Sequence, residues 1–226
     1  MHPAGAAGGG GAPAAGGGRI VQVPPERLAA WADGFAHRHG PFTSTRGDGE
    51  VALEAEDGAT AVLTVPFPPV TEDGPALTTL IAHARLDRPA AVLLVRLGGY
   101  AVGIFDGSQL VRSKVDSRLV HGRQRNGGSS QKRYARRREN EVKDLIAHAA
   151  DLAARILLPA VPGVDAVFTG GDKRAIDQVL ADRRLAPLAA KRTGPFLTVP
   201  DPKRAILEET PAMFRAVRIH VTDPPG

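Results

Sequence analysis

The chain has 226 residues, a net charge of +5 and no cysteine, so disulfides, thiol chemistry and cysteine-based zinc sites are excluded. Aromatic residues make up only 4% of it, which leaves little material for stacking nucleic-acid bases on an aromatic platform. No apolar run approaches the roughly 20 residues that cross a bilayer, so no membrane partner is expected. Residues 1–18, rich in Ala, Gly and Pro, lack the features of a signal peptide, and we interpret them as a disordered tail.

Residues 19–87 are predicted to form a small α/β region. Apolar residues three and four apart indicate a helix, and two β-rich runs around Glu56-Asp57-Gly58 indicate a hairpin. The prolines from Pro66 to Pro69 break this pattern. The predicted elements are a helix over Pro25–His39, a hairpin of Val51–Ala55 and Ala61–Val65, and a helix over Pro75–Arg85.

Residues 88–226 are predicted to form a larger domain that opens with a three-stranded antiparallel meander. Gly98-Gly99 and Asp106-Gly107 separate its strands and are two-residue signatures of tight hairpin turns. The predicted strands are Ala91–Leu97, Tyr100–Phe105 and Leu110–Val115, and a polar loop follows over Asp116–Gln131.

A long helix is predicted over Lys132–Leu158. Its apolar residues recur three and four apart and form one stripe, as on a helix that packs against a core. Because this stripe begins only at Val142, the first turns have almost no core face, and we expect them to project beyond the sheet.

In the rest of the chain, predicted strands alternate with predicted helices. Together with the meander, this pattern predicts a mixed sheet with helices on its faces, which is an α/β fold. We interpret Gly170-Gly171 as a turn and Asp172 as the N-cap of the following helix. The predicted elements are strand Ala166–Thr169, helix Lys173–Asp182, strand Phe196–Val199, a helix around Pro202–Glu209 and a final strand Ala216–Thr222 that completes the sheet.

Basic residues are concentrated around the start of the long helix. Seven Lys or Arg residues and no Asp or Glu lie between positions 123 and 138, so the rest of the chain sums to about −2. Since the N-terminus of a helix favours acids, this cluster indicates a polyanionic partner, and the glycines and glutamine just before it suggest a tip that enters RNA. The seven residues are Arg123, Arg125, Lys132, Arg133, Arg136, Arg137 and Arg138.

The run from Gly127 to Arg138 resembles the signature of the Vms-type release-factor-like family, in its actinobacterial branch. The order of elements also resembles the middle domain of eukaryotic and archaeal class-I release factors, which has an RNase-H-like fold. The resemblance covers roughly Pro89–Val221, with a second matching block at Thr169–Ala175. It implies a ribosome-associated peptidyl-tRNA hydrolase that releases nascent chains from stalled complexes.

The resemblance also implies roles for individual residues. Gln131 takes the place of the functional glutamine, Gly127 and Gly128 those of the flexible glycines, and Ser129 and Ser130 add hydroxyl contacts. An amide is a poor base, so the glutamine would orient water by hydrogen bonds. The two serines that separate the glycines from Gln131 depart from the strict Gly-Gly-Gln of termination factors, so ordinary stop-codon termination is not implied.

The implied partners are the large ribosomal subunit at its peptidyl-transferase centre, peptidyl-tRNA and rRNA, whose phosphates the seven basic residues would hold. We expect a cytoplasmic monomer that needs no cofactor. We assign no metal site, because His37 and His39 have no further ligands at useful spacing and Asp106 is explained by its turn.

Two other functions stay open. The same loop could cut tRNA near its 3′ end by activating a ribose 2′-hydroxyl, which is nuclease chemistry. The basic segment could also belong to a non-catalytic module that binds the ribosome or RNA, since a Gly-Gly-Ser-Ser loop is by composition a flexible connector.

Overall fold

The computed structural model describes residues 18–117 and 130–224, and it confirms the predicted mixed α/β class. Within these two ranges the strands form two sheets, one of five strands and one of four. The predicted disordered tail lies outside the described residues apart from Gly18, and so does the predicted polar loop from residue 118 to residue 129.

The strands are β1 (Arg19–Val23), β2 (Phe42–Arg46), β3 (Glu50–Ala55), β4 (Thr60–Thr64), β5 (Pro89–Arg96), β6 (Gly99–Asp106), β7 (Gln109–Ser117), β8 (Ala166–Gly171) and β9 (Val217–Thr222). The helices are α1 (Leu28–His39), α2 (Ala76–Arg85), α3 (Ser130–Ile156), α4 (Lys173–Leu180), α5 (Ala186–Ala190) and α6 (Arg204–Phe214). Strands β1 and β2 and helix α5 were not predicted from the sequence.

The five-stranded sheet has the order β1-β9-β4-β3-β2, and all its neighbouring strands are antiparallel. The predicted hairpin is present as β3 and β4. Along β3 buried residues such as Val51 and Leu53 alternate with exposed ones, as expected for a sheet with one face on a core and the other in solvent. The covered face packs against α1 through Leu28 and Phe35 and against α2 through Leu80.

The prediction that the last strand completes the mixed sheet is wrong. Strand β9 lies in the five-stranded sheet, where Ile219 stands opposite Val21 of β1 and Leu63 of β4. Its alternating buried and exposed residues suit a sheet that is covered on one face only. The chain therefore crosses the predicted boundary between residues 87 and 88 and returns to the N-terminal sheet at its end.

The four-stranded sheet has the order β7-β6-β5-β8. The predicted meander is confirmed as β5, β6 and β7, and β8 pairs with β5 in the parallel direction. All residues of β5 between its two ends are buried, because helices cover both faces of this sheet. Helices α3, α4 and α5 contribute to the core on one face and α6 to the core on the other.

The predicted strand Phe196–Val199 is wrong, since only Leu197 forms an isolated parallel bridge, to Gly170. Pro195 has no N–H to donate and interrupts the ladder between this bridge and the one formed by Arg192. The prediction of a Gly170-Gly171 turn is also wrong, because both glycines belong to β8. A Cβ atom at Gly170 would collide with the Leu197 carbonyl oxygen, so this close approach requires glycine.

Helix α3 has 27 residues, a length of about 40 Å, and it begins two residues before the predicted start. Its first buried side chain among those described is Leu145, and Val142 is half-buried. No side chain from Arg136 to Asp144 is buried. The N-terminal half of α3 therefore projects from the core, as the late start of the apolar stripe predicts.

The predicted N-cap of α4 is confirmed. The Asp172 side chain accepts a hydrogen bond of 3.0 Å from the backbone N–H of Ala175. We expect Asp172→Ala to lower the free energy of unfolding by about 1 kcal/mol, as loss of an N-cap does, and urea denaturation will measure it. Asp144→Ala, an exposed change on α3, is the control and should cost less than about 0.5 kcal/mol; equal losses in the two variants would contradict the capping role.

Candidate nucleic-acid interface

The structure places some of the predicted site residues and leaves others outside the described part of the chain. The backbone of Ser130, Gln131 and Lys132 forms the first turn of α3, so Gln131 lies in the helix and not in the loop before it. The predicted residues outside the described ranges are Arg123, Arg125, Gly127, Gly128 and Ser129.

Four predicted RNA-binding residues lie on α3 with described side chains. Arg133, Arg136 and Arg137 are exposed, and their spacing of three and four places them on neighbouring positions of the helix surface. Arg138 is half-buried and lies four and seven residues before Val142 and Leu145, on the same side of the helix as the apolar stripe. Three cations of the basic segment are therefore presented to solvent together.

Acidic residues later in α3 neutralise only part of this charge. The Arg137 guanidinium forms an ion pair of 3.1 Å with Glu141, and Lys143 donates to Glu139 at 2.9 Å. The bond from Lys143, with a smaller contribution from the charge of Arg136, holds the pKa of the Glu139 carboxyl below its usual value. Pairs this exposed contribute little to stability. Arg133 has no ion pair within residues 18–117 and 130–224.

The half-burial of Arg138 was missed by the sequence reasoning, although its spacing from the apolar stripe carries the signal. Its Nε atom is buried and has no hydrogen-bond partner in the described part of the protein. A buried guanidinium nitrogen without a partner costs free energy.

The direction of α3 places its basic end at one edge of the four-stranded sheet. After α3 a 3₁₀ segment, Leu158–Gly163, leads directly into β8, so α3 runs opposite to β8. Strand β5 is parallel to β8, and β7 has the same direction because two antiparallel pairings connect it to β5. The start of α3 therefore lies at the edge where β5, β7 and β8 end.

A cavity of about 440 Å³ lies elsewhere, beside the linker from Phe67 to Thr71. Its cations are engaged within the protein: Arg88 pairs with Asp165, Arg192 pairs with Asp177, and Lys191 donates to two backbone carbonyls. We assign no function to this cavity.

Within the described ranges, no group of three or more histidines and carboxylates is placed to hold a metal ion. In the same part of the chain, no helix is both long and apolar enough to cross a membrane.

Residues 88–220 match the family model described as Actinobacteria/chloroflexi VLRF1 release factor. No curated protein matches the sequence. Similar solved structures include an archaeal translation termination factor, aRF1, with 13% identity, a TM-score of 0.41 and coverage of 87% of this chain and 66% of that one. Another is the Vms1 mitochondrial localization core, with 11% identity, a TM-score of 0.42 and coverage of 89% and 82%.

This chain thus spans 66% of the length of the archaeal factor. The family match covers more than half of the chain and includes the four-stranded sheet, α3 with its basic segment, and α4. The family match thereby confirms the predicted resemblance to a Vms-type release-factor-like family. The chain belongs to the Actinobacteria/chloroflexi VLRF1 release factor family.

Proposed function

We propose that this protein is a ribosome-associated peptidyl-tRNA hydrolase that releases nascent chains from stalled ribosomal complexes in the cytoplasm. The observation that carries the proposal is the position of Gln131 in the first turn of a basic helix whose N-terminal half projects from the core. A narrow, cationic and projecting element is suited to enter an RNA-walled site that the globular body cannot enter.

The projecting half of α3 supplies the binding energy for RNA. Its exposed arginines would each neutralise a phosphate and release condensed counterions, which gives binding that weakens as salt increases. Bidentate guanidinium groups suit phosphate better than point charges do. The expected partners are rRNA of the large subunit around the peptidyl-transferase centre and the peptidyl-tRNA held there, and the protein is expected to act as a monomer.

The position of Gln131 at a helix start suits it to stabilise the transition state. The first four backbone N–H groups of a helix have no acceptor within the helix. Because α3 begins at Ser130, the N–H of Gln131 is among them. When water attacks the ester carbonyl, negative charge develops on the carbonyl oxygen, and a fixed N–H that donates to it is worth about 3 kcal/mol.

The Gln131 amide has a different role, which is to hold the water. It both donates and accepts hydrogen bonds, so it can align a water molecule on the carbonyl carbon without removing a proton itself. Attack breaks the bond between the carbonyl carbon and the ribose 3′ oxygen, and this oxygen leaves with a proton as the tRNA 3′ hydroxyl. Gly127 and Gly128 would let the backbone enter the crowded pocket, and Ser129 and Ser130 would add hydroxyl contacts.

The test uses the full chain and stalled large-subunit complexes that carry peptidyl-tRNA labelled on the peptide and on the tRNA. We expect released peptide and a tRNA with an intact 3′ end, at a rate well above that of the complexes alone. A shortened tRNA would show that the protein cuts the tRNA as a nuclease and does not hydrolyse the peptidyl ester. If the protein binds the complexes but neither the peptidyl ester nor the tRNA is cleaved, the proposed activity is overturned. The protein would then be a non-catalytic module that binds the ribosome.

A further inference from the structure

Two basic side chains lie exposed at the start of α4. Lys173 and Arg174 are both exposed, and neither has a hydrogen bond or an ion pair within the described residues. Positive charge in the first turn of a helix is unfavourable, because that end carries the positive pole of the helix dipole. Their position therefore costs the isolated protein free energy.

The topology brings these two residues to the same side of the molecule as the basic half of α3. Helices α3 and α4 pack on the same face of the four-stranded sheet and share one core, which includes Leu145 and Ala149 of α3 and Ile176 and Val179 of α4. Strand β8 leads directly into α4, so α4 begins at the edge where β8 ends. The start of α3 lies at that same edge.

The backbone that carries Lys173 and Arg174 is held in one conformation. Gly171 has a φ of +99°, and a Cβ atom there would collide with the Val95 carbonyl oxygen. That same oxygen accepts a hydrogen bond of 2.7 Å from the Asp172 N–H, and the Asp172 carboxylate caps α4. This fixed connection from β8 to α4 presents the two cations in a defined direction, which lowers the entropy cost of binding an anion.

We propose that Lys173 and Arg174 extend the basic surface of α3 into a two-helix surface that binds the sugar-phosphate backbone of RNA. This inference rests on the proposed function, because it assigns the same RNA to both helices. Arg133, Arg136 and Arg137 contribute one side of the surface, and the two residues of α4 contribute the other. An extended surface on two rigid elements fixes the register of the RNA as well as its affinity.

The experiment measures binding of the full chain to a labelled RNA hairpin that reproduces a tRNA acceptor stem with a single-stranded 3′ end, by fluorescence anisotropy over a range of salt concentrations. The variant is Lys173→Gln/Arg174→Gln. Loss of two phosphate contacts should reduce the slope of log affinity against log salt by about 1.4 to 1.8. At 0.1 M salt the affinity should fall on the order of 10-fold.

The matched control is Arg155→Gln/Arg183→Gln, which removes the same charge from two exposed residues. They lie near the C-terminal ends of α3 and α4, at the opposite edge of the sheet. The control should keep the slope of the wild type. The melting temperature of Lys173→Gln/Arg174→Gln should not fall, because the substitution removes unfavourable charge from the helix start; a large fall would show a structural role instead.

A third variant, Arg133→Gln/Arg136→Gln/Arg137→Gln, separates this inference from the proposed function. If it reduces the slope and Lys173→Gln/Arg174→Gln does not, α4 makes no contact with the RNA and the inference is overturned while the role of α3 stands. If neither variant differs from the control, α3 does not bind the RNA either, and the proposed function loses its RNA-binding surface.

Discussion

Gln131→Ala is expected to slow peptide release about 100-fold while binding to stalled large-subunit complexes is unchanged. The substitution removes the amide that aligns the water but keeps the backbone N–H at the start of α3, and misplacement of a reacting group costs rates of this order. Alanine is also a good helix former, so the helix start at Ser130 should be kept. Single-turnover release of labelled peptide, with saturating protein, measures the chemical step.

Gln178→Ala is the matched control, since Gln178 is an exposed glutamine on α4, and release should proceed at the rate of the wild type. Gln131→Glu keeps the length of the side chain but replaces the donor amide with a carboxylate, which accepts only, so it should also be slow. Unchanged release by Gln131→Ala would remove the Gln131 side chain from the chemistry and leave the backbone N–H groups at the start of α3 as its source.

Phe214→Ala is expected to have the largest effect on stability, a loss of about 3–5 kcal/mol. The Phe214 ring is fully buried and stacks on Phe168 of β8 with 4.6 Å between ring centroids. It also contacts Phe105 of β6 and Phe67 of the segment that follows β4. Since Phe67 belongs to the connection between the two sheets, the change weakens the core where they are joined.

Thermal and urea unfolding followed by circular dichroism measure this loss, and a fall of about 10 °C in melting temperature corresponds to it for a chain of this size. Val111→Ala, at a side chain that is 63% exposed, is the control and should change stability by less than about 0.5 kcal/mol. A loss below about 1.5 kcal/mol for Phe214→Ala would mean that the cavity collapses and that this cluster does not hold the sheets together.

The basic segment of the candidate site could be recognised in the sequence because its signals are local. The seven basic residues without an acid between positions 123 and 138 and the late start of the apolar stripe both lie within one helix and its preceding loop. Gln131 was predicted to lie at the end of the loop, but α3 begins two residues before its predicted start and includes this residue. Helix ends depend on caps and packing that a periodic pattern does not contain, so boundaries are less predictable than helix existence.

The sequence by itself determined the α/β class, the meander of β5 to β7, the long helix with its projecting basic half, and the Asp172 cap. These features follow from turn residues, from the spacing of apolar residues and from the clustering of charged residues, which all act between near neighbours in the chain. Only the tertiary structure decided that β9 pairs with β1 and β4, that Gly170 and Gly171 lie within β8, and that Lys173 and Arg174 share an edge with α3. Alternation shows which face of a strand is buried but not which distant strand it meets, so pairing is settled only when the whole chain packs.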